Sequence, residues 1–451
     1  MAMMTVNLIN LITTFYIEQA SRQREQGVSD AVGPRLTHPY QEQLDRTERD
    51  AMEVDAGEQL DRTVEVWSDF NRIFYHPRSI NAIASHPING LDDFDLYPAG
   101  REAFQENEKE MDTMDENFRF FAEECDQLQG FQLLTGIDDA FAGFATGLID
   151  ALRAEYPKTP IITYGLSDNN NTVSSHLATR RIINRAVGLA QLSEASSLYV
   201  PLYTPQSFRV NQPLVYPNEA LLYHTSAILS AAIETASLPY RMKKKAWSLA
   251  DGIAQLNGQG NTNLAMLATA FPLPFSDHGY DSRMNHSLYN LSTLTQAISI
   301  SHPQVFSVNL LFFVVFLLLR GNGDRKEYIN RIFSKFKEEI DPCHQRCVID
   351  VAYPLAHSYP RFFSSSLNEQ GYITDRPTLA PVQVPMMTHL FTADNLHSSL
   401  EAQVEELKQI QSKDLVEFGQ GDFGLTREDY LETKESLITL SDAYRIDHDM
   451  M

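Results

Sequence analysis

The stretch between residues 128 and 166 limits the possible folds more than any other part of the chain. Within it, "GFQLLTGI" has the length and composition of a buried strand. Apolar residues then recur at helical spacing, at Phe141, Phe144, Leu148 and Leu152. "PIITYGL" follows as a second short apolar run. A strand, a helix and a strand in this order form a βαβ unit, which implies a parallel sheet with a right-handed crossover.

The same alternation continues along the chain. "HLATRRIINRAVGLAQL" has the pattern of an amphipathic helix and "SSLYVPLY" that of a third strand, while a helical pattern precedes the unit at about 102 to 126. The second half is more mixed. "NEALLYHTSAILSAAIETASLPY" is typical of a helix buried between layers and limited by Pro239, and "NLAMLATAFPLPF" fits either a helix end or a strand. Two helices close the chain, the second starting at a capping box of Thr426 and Asp429.

These patterns predict three regions. Residues 1–62 are a polar lead-in that we expect to be partly disordered, because large apolar side chains are few there. Residues 63–205 form an α/β domain with a parallel sheet. Residues 206–451 form a mixed α+β second domain that ends in helices.

Charge and length exclude several classes of protein. The 451 residues carry a net charge of −23, which disfavours a nucleic-acid partner because phosphate contacts require basic clusters. The start of the chain fits neither a secretory signal nor an Arg-rich transit peptide. The apolar segment 308–319, "VNLLFFVVFLLL", is shorter than the roughly 20 residues that cross a bilayer. We therefore predict no transmembrane segment.

The chain has three cysteines, Cys125, Cys343 and Cys347, too few for a disulfide framework in a chain of this size. Cys343, His344 and Cys347 lie close enough in sequence to suggest a metal site. No fourth ligand is evident nearby, so unpaired thiols are the favoured interpretation and we predict no metal. The common nucleotide-binding and hydrolase motifs GxxxxGK[ST], GxGxxG, HExxH and GxSxG are absent, and we assign no catalytic residue.

A family resemblance rests on "ECDQLQGFQLLTGIDDAFAGFATGLIDALRAEYP" at 124–157. This stretch resembles the tubulin segment that runs through a glycine-rich phosphate loop into a helix ending in E-Y-P. With its acidic replacement, it is similar to the Misato family of tubulin-like proteins. Further similarity lies in "VWSDFNRIFYHPRSI", "SSLYVPLY", "YHTSAIL", "SLPYRM" and "YPRFFSS" and extends over roughly residues 64 to 451.

The resemblance implies a tubulin/FtsZ-like fold whose phosphate loop has degenerated at Asp138, Asp139, Phe141 and Gly143. Backbone N–H groups of a glycine loop normally converge on phosphate oxygens. We expect Asp138 to accept these N–H groups as the N-cap of the helix, both aspartates to repel a triphosphate, and Phe141 and Phe144 to add bulk. No cofactor is expected.

The resemblance also implies a function. It indicates a non-enzymatic protein of mitochondrial distribution, morphology and mitochondrial DNA inheritance, located in the cytoplasm and peripherally on the cytosolic face of the mitochondrion. Cytoskeletal or tubulin-folding proteins are the implied partners. The alternative is a nucleotide-binding, tubulin-like GTPase or cytoskeletal assembly factor.

Two departures from the family pattern affect the expected fold. Residues 1–62 contain no glycine-rich opening, so we expect the family's first segment to be truncated or replaced and its sheet to be incomplete. Segment 308–319 interrupts a region where a short strand is expected. It is either a translated intron or a genuine strand pair or core helix.

Overall fold

The structure is a computed structural model. It describes residues 2–8, 40, 57–64, 76–79, 81, 83, 86, 94–168, 174–243, 247–257, 260–276, 279–280, 288–292, 315–321, 344–375, 380–392 and 395–445.

Strands and helices alternate through the first half and are more mixed in the second. The strands are β1 Ala2–Leu8, β2 Leu128–Gly136, β3 Ile161–Ser167, β4 Leu198–Tyr203, β5 Met266–Ala270, β6 Phe275–Ser276, β7 Gly279–Tyr280, β8 Tyr289–Asn290, β9 Val315–Arg320, β10 His344–Ile349, β11 Tyr353–Pro354, β12 Gln383–Val384 and β13 Met386–Phe391. The α-helices are α1 Gly57–Thr63, α2 Tyr97–Met111, α3 Arg119–Glu123, α4 Phe141–Glu155, α5 Ser175–Ala195, α6 Phe208–Asn211, α7 Leu222–Arg241, α8 Leu249–Leu256, α9 Asn395–Lys408 and α10 Arg427–Asp442. A π-helix at Thr113–Phe118 links α2 to α3, and 3-10 helices lie at Pro77–Ser79, Ser412–Leu415 and Glu417–Gly419.

The first sheet has four strands in the order β1-β2-β3-β4, and all its pairings are parallel. Helix α4 connects β2 to β3 and α5 connects β3 to β4, as the βαβ pattern predicts. Phe131 and Leu133 pack into one apolar cluster with α2, α4 and α5, whereas Leu134 packs into a second cluster with α7. Both faces of the sheet are therefore buried, which explains why its strands are almost continuously apolar. The predicted α/β class is confirmed.

The edge strand β1 contradicts one expectation. The sequence predicts that residues 2–8 belong to a polar lead-in and that the sheet is incomplete. Instead, their backbone pairs with β2 in parallel, with Val6 opposite Leu133. Strand pairing uses main-chain groups that every non-proline residue carries, so a short segment without a glycine-rich opening can supply an edge strand.

The second sheet has five strands in the order β10-β9-β13-β5-β8. The segment "NLAMLATAFPLPF" contributes a strand, β5, and not a helix end. Residues 315–319 of the apolar segment lie in β9, between β10 and β13, so this part of the segment is a strand and not a core helix. Residues 308–314 lie outside the described residues, and the intron origin stays a prediction that sequencing of the mature transcript would check.

Helices connect and cover the sheets. Helix α7 contacts strands of both sheets, as its apolar composition predicts, and Pro239 lies in its last turn. The helical pattern at 102–126 is broken at Asp112, whose φ of 46° is left-handed, a conformation that aspartate tolerates better than most residues. The capping box of α10 is present, since Thr426 Oγ1 accepts from Asp429 N–H at 3.1 Å and the Asp429 carboxylate accepts from Thr426 N–H at 2.7 Å. Among the described helices, none is both long and apolar enough to span a bilayer.

Candidate functional site

The candidate site lies where the strands of the first sheet end. Strands β2, β3 and β4 end at Gly136, Ser167 and Tyr203, and because they are parallel their following loops meet at one edge. Ligands of open parallel sheets bind at this carboxyl edge. The loop from β2 to α4 carries Asp138 and Asp139, so the structure places the predicted degenerate phosphate loop in the position of a ligand site.

Asp138 is held by a buried ion pair. Arg185 of α5 donates to Asp138 Oδ1 from Nε at 3.1 Å and from Nη2 at 3.0 Å, and each side chain is only 11% exposed. Ser167 Oγ and the backbone N–H of Asp168 also donate to the carboxylate, at 2.8 and 2.7 Å. The carboxylate thus takes the side-chain and backbone donors that an anionic ligand at this edge would need.

A single amide fixes the backbone of this loop. Asn184 of α5 is fully buried and donates from Nδ2 to the carbonyl oxygens of Asp138, at 2.9 Å, and Asp95, at 2.6 Å. Its Oδ1 accepts from Tyr97 N–H at the start of α2, at 2.9 Å. Helix α5 therefore positions both the acidic loop and the entrance to α2.

The N-cap residue of α4 is Ala140, whose side chain cannot accept a hydrogen bond. The carboxylate that binds the first N–H of the helix belongs to Asp139 and not to Asp138, which corrects the expected role of Asp138. Asp139 Oδ1 accepts from Phe141 N–H at 3.0 Å, and the Asp139 carbonyl accepts from Ala142 N–H at 3.3 Å. Asp138 instead accepts donors from β3, its following loop and α5, because its carboxylate lies toward those elements. A carboxylate does satisfy the helix N-terminus from within the chain, as expected, but from the next residue.

Burial changes the pKa values of Asp139 and Arg185. Protein atoms surround the carboxyl of Asp139, although part of the side chain meets solvent, and this desolvation raises its pKa to about 7. The bond from Phe141 N–H opposes the rise, whereas the charge of Asp138 adds to it. Burial lowers the pKa of Arg185, but Asp138, Tyr203 and Glu406 together outweigh this and leave the pKa above its usual value. Arg185 therefore stays charged.

Two more arginines of α5 are paired in the same way. Arg180 forms ion pairs with Asp95 and with Glu417, and Arg181 Nη1 lies 3.8 Å from Asp168 Oδ2. With the Arg185 to Asp138 pair, every arginine of the "RRIINR" segment is matched by a carboxylate within the described part of the chain. The three arginines at the carboxyl edge of the sheet are therefore already engaged by carboxylates of the chain itself.

Phe141, Phe144 and Gly143 do not act on the phosphate position as expected. Phe141 is 4% exposed and packs edge to face on Phe94, and Phe144 is 5% exposed and packs on Phe104. Both rings lie in the core beside α2, so they do not obstruct the loop. A Cβ on Gly143 would come within 1.9 Å of the Tyr97 carbonyl oxygen, so this glycine permits α2 and α4 to cross closely.

These contacts decide what the loop can bind. A triphosphate would have to displace Asp138 from Arg185 and Asp139 from the first N–H of α4, and it would meet two further carboxylates, Asp95 and Asp168. The residues present do not fit a nucleoside triphosphate.

Sequence reasoning missed the cationic half of the site. The sequence does contain a pattern that could have indicated these arginines. The segment "RRIINR" lies in α5, the helix that follows β3, and in a parallel sheet this helix passes the loop after β2. Without the three-dimensional arrangement, nothing showed which carboxylates they meet.

The cysteine-containing segment does not form a site in the described structure. Cys347 lies within β10 and is 7% exposed in the core, and Cys343 lies outside the described residues. Over the ranges that the structure describes, no group of three or more His, Cys, Asp or Glu side chains could hold a metal ion.

Comparison with known proteins shows which family this chain belongs to. Residues 57–242 match the family model described as a tubulin domain. The chain is 32% identical over 316 residues to Protein DML1 of Gibberella zeae, covering 66% of this chain and 61% of that protein. It is 28% identical over 420 residues to Protein misato homolog 1 of Bos taurus, covering 85% of this chain and 71% of that protein. The chain belongs to the Misato and DML1 family.

The chain is also similar to other fungal members of this family. Protein dml1 of Aspergillus niger is 34% identical over 315 residues, which cover 66% of this chain and 60% of that protein. The chain thus spans about three fifths of the length of these fungal relatives. The matched tubulin domain contains β2 to β4, α4 and α5, and so contains the Asp138 to Arg185 pair.

Proposed function

We propose that this chain is a non-enzymatic, tubulin-like protein that acts in mitochondrial distribution and morphology and in the inheritance of mitochondrial DNA. The observation that supports the non-enzymatic part is the ion pair of Asp138 with Arg185, at 3.0 Å, in the position of a tubulin-type phosphate. The mitochondrial part rests on the family resemblance. We further propose that the protein contacts the cytosolic face of mitochondria peripherally and binds cytoskeletal or tubulin-folding proteins.

The physical argument concerns competition for the same donors. A phosphate oxygen gains little from Arg185 and the N-terminus of α4 if it must first remove carboxylates that already bind them. The removed carboxylates would remain close by and repel the phosphate. A tubulin-like scaffold in this state can present surfaces to partners without a nucleotide cycle.

Nucleotide binding is tested directly on the purified chain. Thermal unfolding is measured with and without GTP and magnesium, and a fluorescent GTP analogue is titrated in parallel, with tubulin as the positive control. We expect no change in the unfolding temperature and no saturable binding. A saturable, GTP-induced rise would refute the filled-loop argument and favour the nucleotide-binding alternative.

The cellular role is tested by depletion and complementation. Loss of the protein should disturb mitochondrial distribution, and the Asp139→Asn chain should restore it as well as the unmodified chain, since the carboxyl is not proposed to take part in a reaction. Failure of the folded Asp139→Asn chain to complement would argue for a chemical role of the loop. Normal mitochondria after depletion would contradict the mitochondrial proposal.

Location and partners need separate measurements. Protease treatment of intact mitochondria should remove the bound fraction of the protein, whereas protection would mean import and contradict the peripheral location. Affinity purification followed by identification of bound proteins should recover tubulin or chaperonin subunits if the partners are cytoskeletal. Recovery of outer-membrane proteins alone would favour a role in tethering the organelle.

A further inference from the structure

Helix α10 is held rigidly by its inner face. Tyr430, Thr433, Leu437 and Ser441 are buried, and the Tyr430 hydroxyl donates to the Leu407 carbonyl at the end of α9. Beyond the helix, Tyr444 Oη accepts from Leu264 N–H at 2.7 Å. The rest of its surface, the outer face of α10, is consequently presented to solvent in a fixed orientation, and it begins about 100° around the helix from the buried stripe.

Two large apolar side chains lie on this outer face. Leu431 is 48% exposed and Ile438 is 40% exposed, and they are separated by seven residues. At 3.6 residues per turn, this separation places them almost directly above one another on the helix. They form a short apolar ridge along α10.

Charges of opposite sign lie in two separate rows beside this ridge. Arg427 and Lys434 follow one side, and Glu428 and Glu435 follow the other, each pair again seven residues apart. None of these four side chains forms an ion pair with another described residue. Solvent-exposed helices gain stability from opposite charges four residues apart, but here the ridge separates the basic row from the acidic row.

This pattern is complementary to itself. A two-fold axis parallel to α10 would bring a second helix against the ridge with its rows reversed, so that each basic row faces an acidic row. Lys434 then lies at the level of the partner's Glu435, and Arg427 at the level of the partner's Glu428. In an antiparallel pair, by contrast, rows of the same sign would meet.

We propose that the outer face of α10 is a self-association surface on which a second copy of this chain packs its own α10 in parallel. The ridge of Leu431 and Ile438 forms the centre of the contact and the two charged rows form its rim. One helix of 16 residues buries less area than the roughly 1,200 to 2,000 Å² of a stable interface, so the dimer is weak and depends on protein concentration.

The test is sedimentation velocity of the full chain over a concentration series reaching several hundred micromolar. We expect the weight-average sedimentation coefficient to rise with concentration toward that of a dimer. Lys434→Glu should weaken association about tenfold, because repulsion replaces attraction in two symmetry-related pairs. The double variant Lys434→Glu with Glu435→Lys should restore it, since the swap regenerates complementary rows.

Two further variants separate this contact from a general effect of charge or folding. Leu431→Ser with Ile438→Ser should abolish association while leaving the circular dichroism spectrum unchanged, because both side chains are largely exposed. Glu106→Lys, a charge reversal on the exposed side of α2, should leave association intact. A monomer at every concentration, or a dimer that none of the α10 variants weakens, would overturn the proposal, as would failure of the charge swap to restore association.

Discussion

Replacing Asp139 by asparagine should stabilise the protein increasingly as the pH rises from about 5.5 to 8. Asparagine keeps an oxygen that can accept from Phe141 N–H, but it does not ionise. In the unmodified chain, the Asp139 carboxyl must ionise in a partly buried position beside the carboxylates of Asp138 and Asp95, with Arg181 as the compensating charge. The substitution removes the free-energy cost of ionising this carboxyl and keeps the hydrogen bond from Phe141 N–H.

The magnitude follows from the two pKa values. In the folded protein the carboxyl of Asp139 has a pKa of about 7, against 3.8 for an ordinary aspartate. Since the folded-state pKa is the higher one, the stability from the bound proton is complete below pH 3.8 and is lost as the pH rises to about 7. At about 1.4 kcal/mol per unit difference in pKa, the full loss is roughly 4 kcal/mol. About half of it falls between pH 5.5 and 8, and partial solvent contact lowers the expected effect to about 1 to 2 kcal/mol.

The assay is equilibrium urea unfolding of both proteins at a series of pH values. The series starts above the isoelectric point of about 4.9 so that both proteins remain soluble. Asp126→Asn serves as the matched control, because it makes the same substitution at an exposed position away from the loop. The reasoning is refuted if the stability gained by Asp139→Asn is independent of pH or decreases as the pH rises.

Three other substitutions test the packing around the loop and the last helix, each by urea unfolding. Asp138→Ala should cost about 3 to 5 kcal/mol because it leaves Arg185 buried and unpaired, and a loss below about 1 kcal/mol would contradict the ion-pair assignment. Gly143→Ala should cost about 1 to 3 kcal/mol or more, since the new Cβ meets the Tyr97 carbonyl oxygen at 1.9 Å and must separate α2 from α4; unchanged stability would mean that this crossing is loose. Thr426→Ala should cost about 0.5 to 2 kcal/mol through loss of the α10 cap, and a neutral result would show that the capping box contributes nothing.

Local chemistry in the sequence was sufficient to predict most elements of the first domain. Strand β2, helix α4 and strand β3 follow from apolar periodicity, and the start of α10 follows from Thr426 and Asp429 three residues apart. The acidic replacement of the glycine loop could also be read from adjacent residues. These features depend on neighbours within a few positions, and the sequence displays such neighbours directly.

Only the tertiary structure decided which distant groups meet. It paired Asp138 with Arg185, 47 positions along the chain, and it gave the first N–H of α4 to the Asp139 carboxylate, because the directions of two adjacent carboxylates depend on what surrounds them. It also brought residues 2–8 beside β2, which begins at Leu128, although their composition resembles a lead-in. Backbone pairing and buried ion pairs depend on which segments the packed core brings together, and no local pattern in the sequence encodes that arrangement.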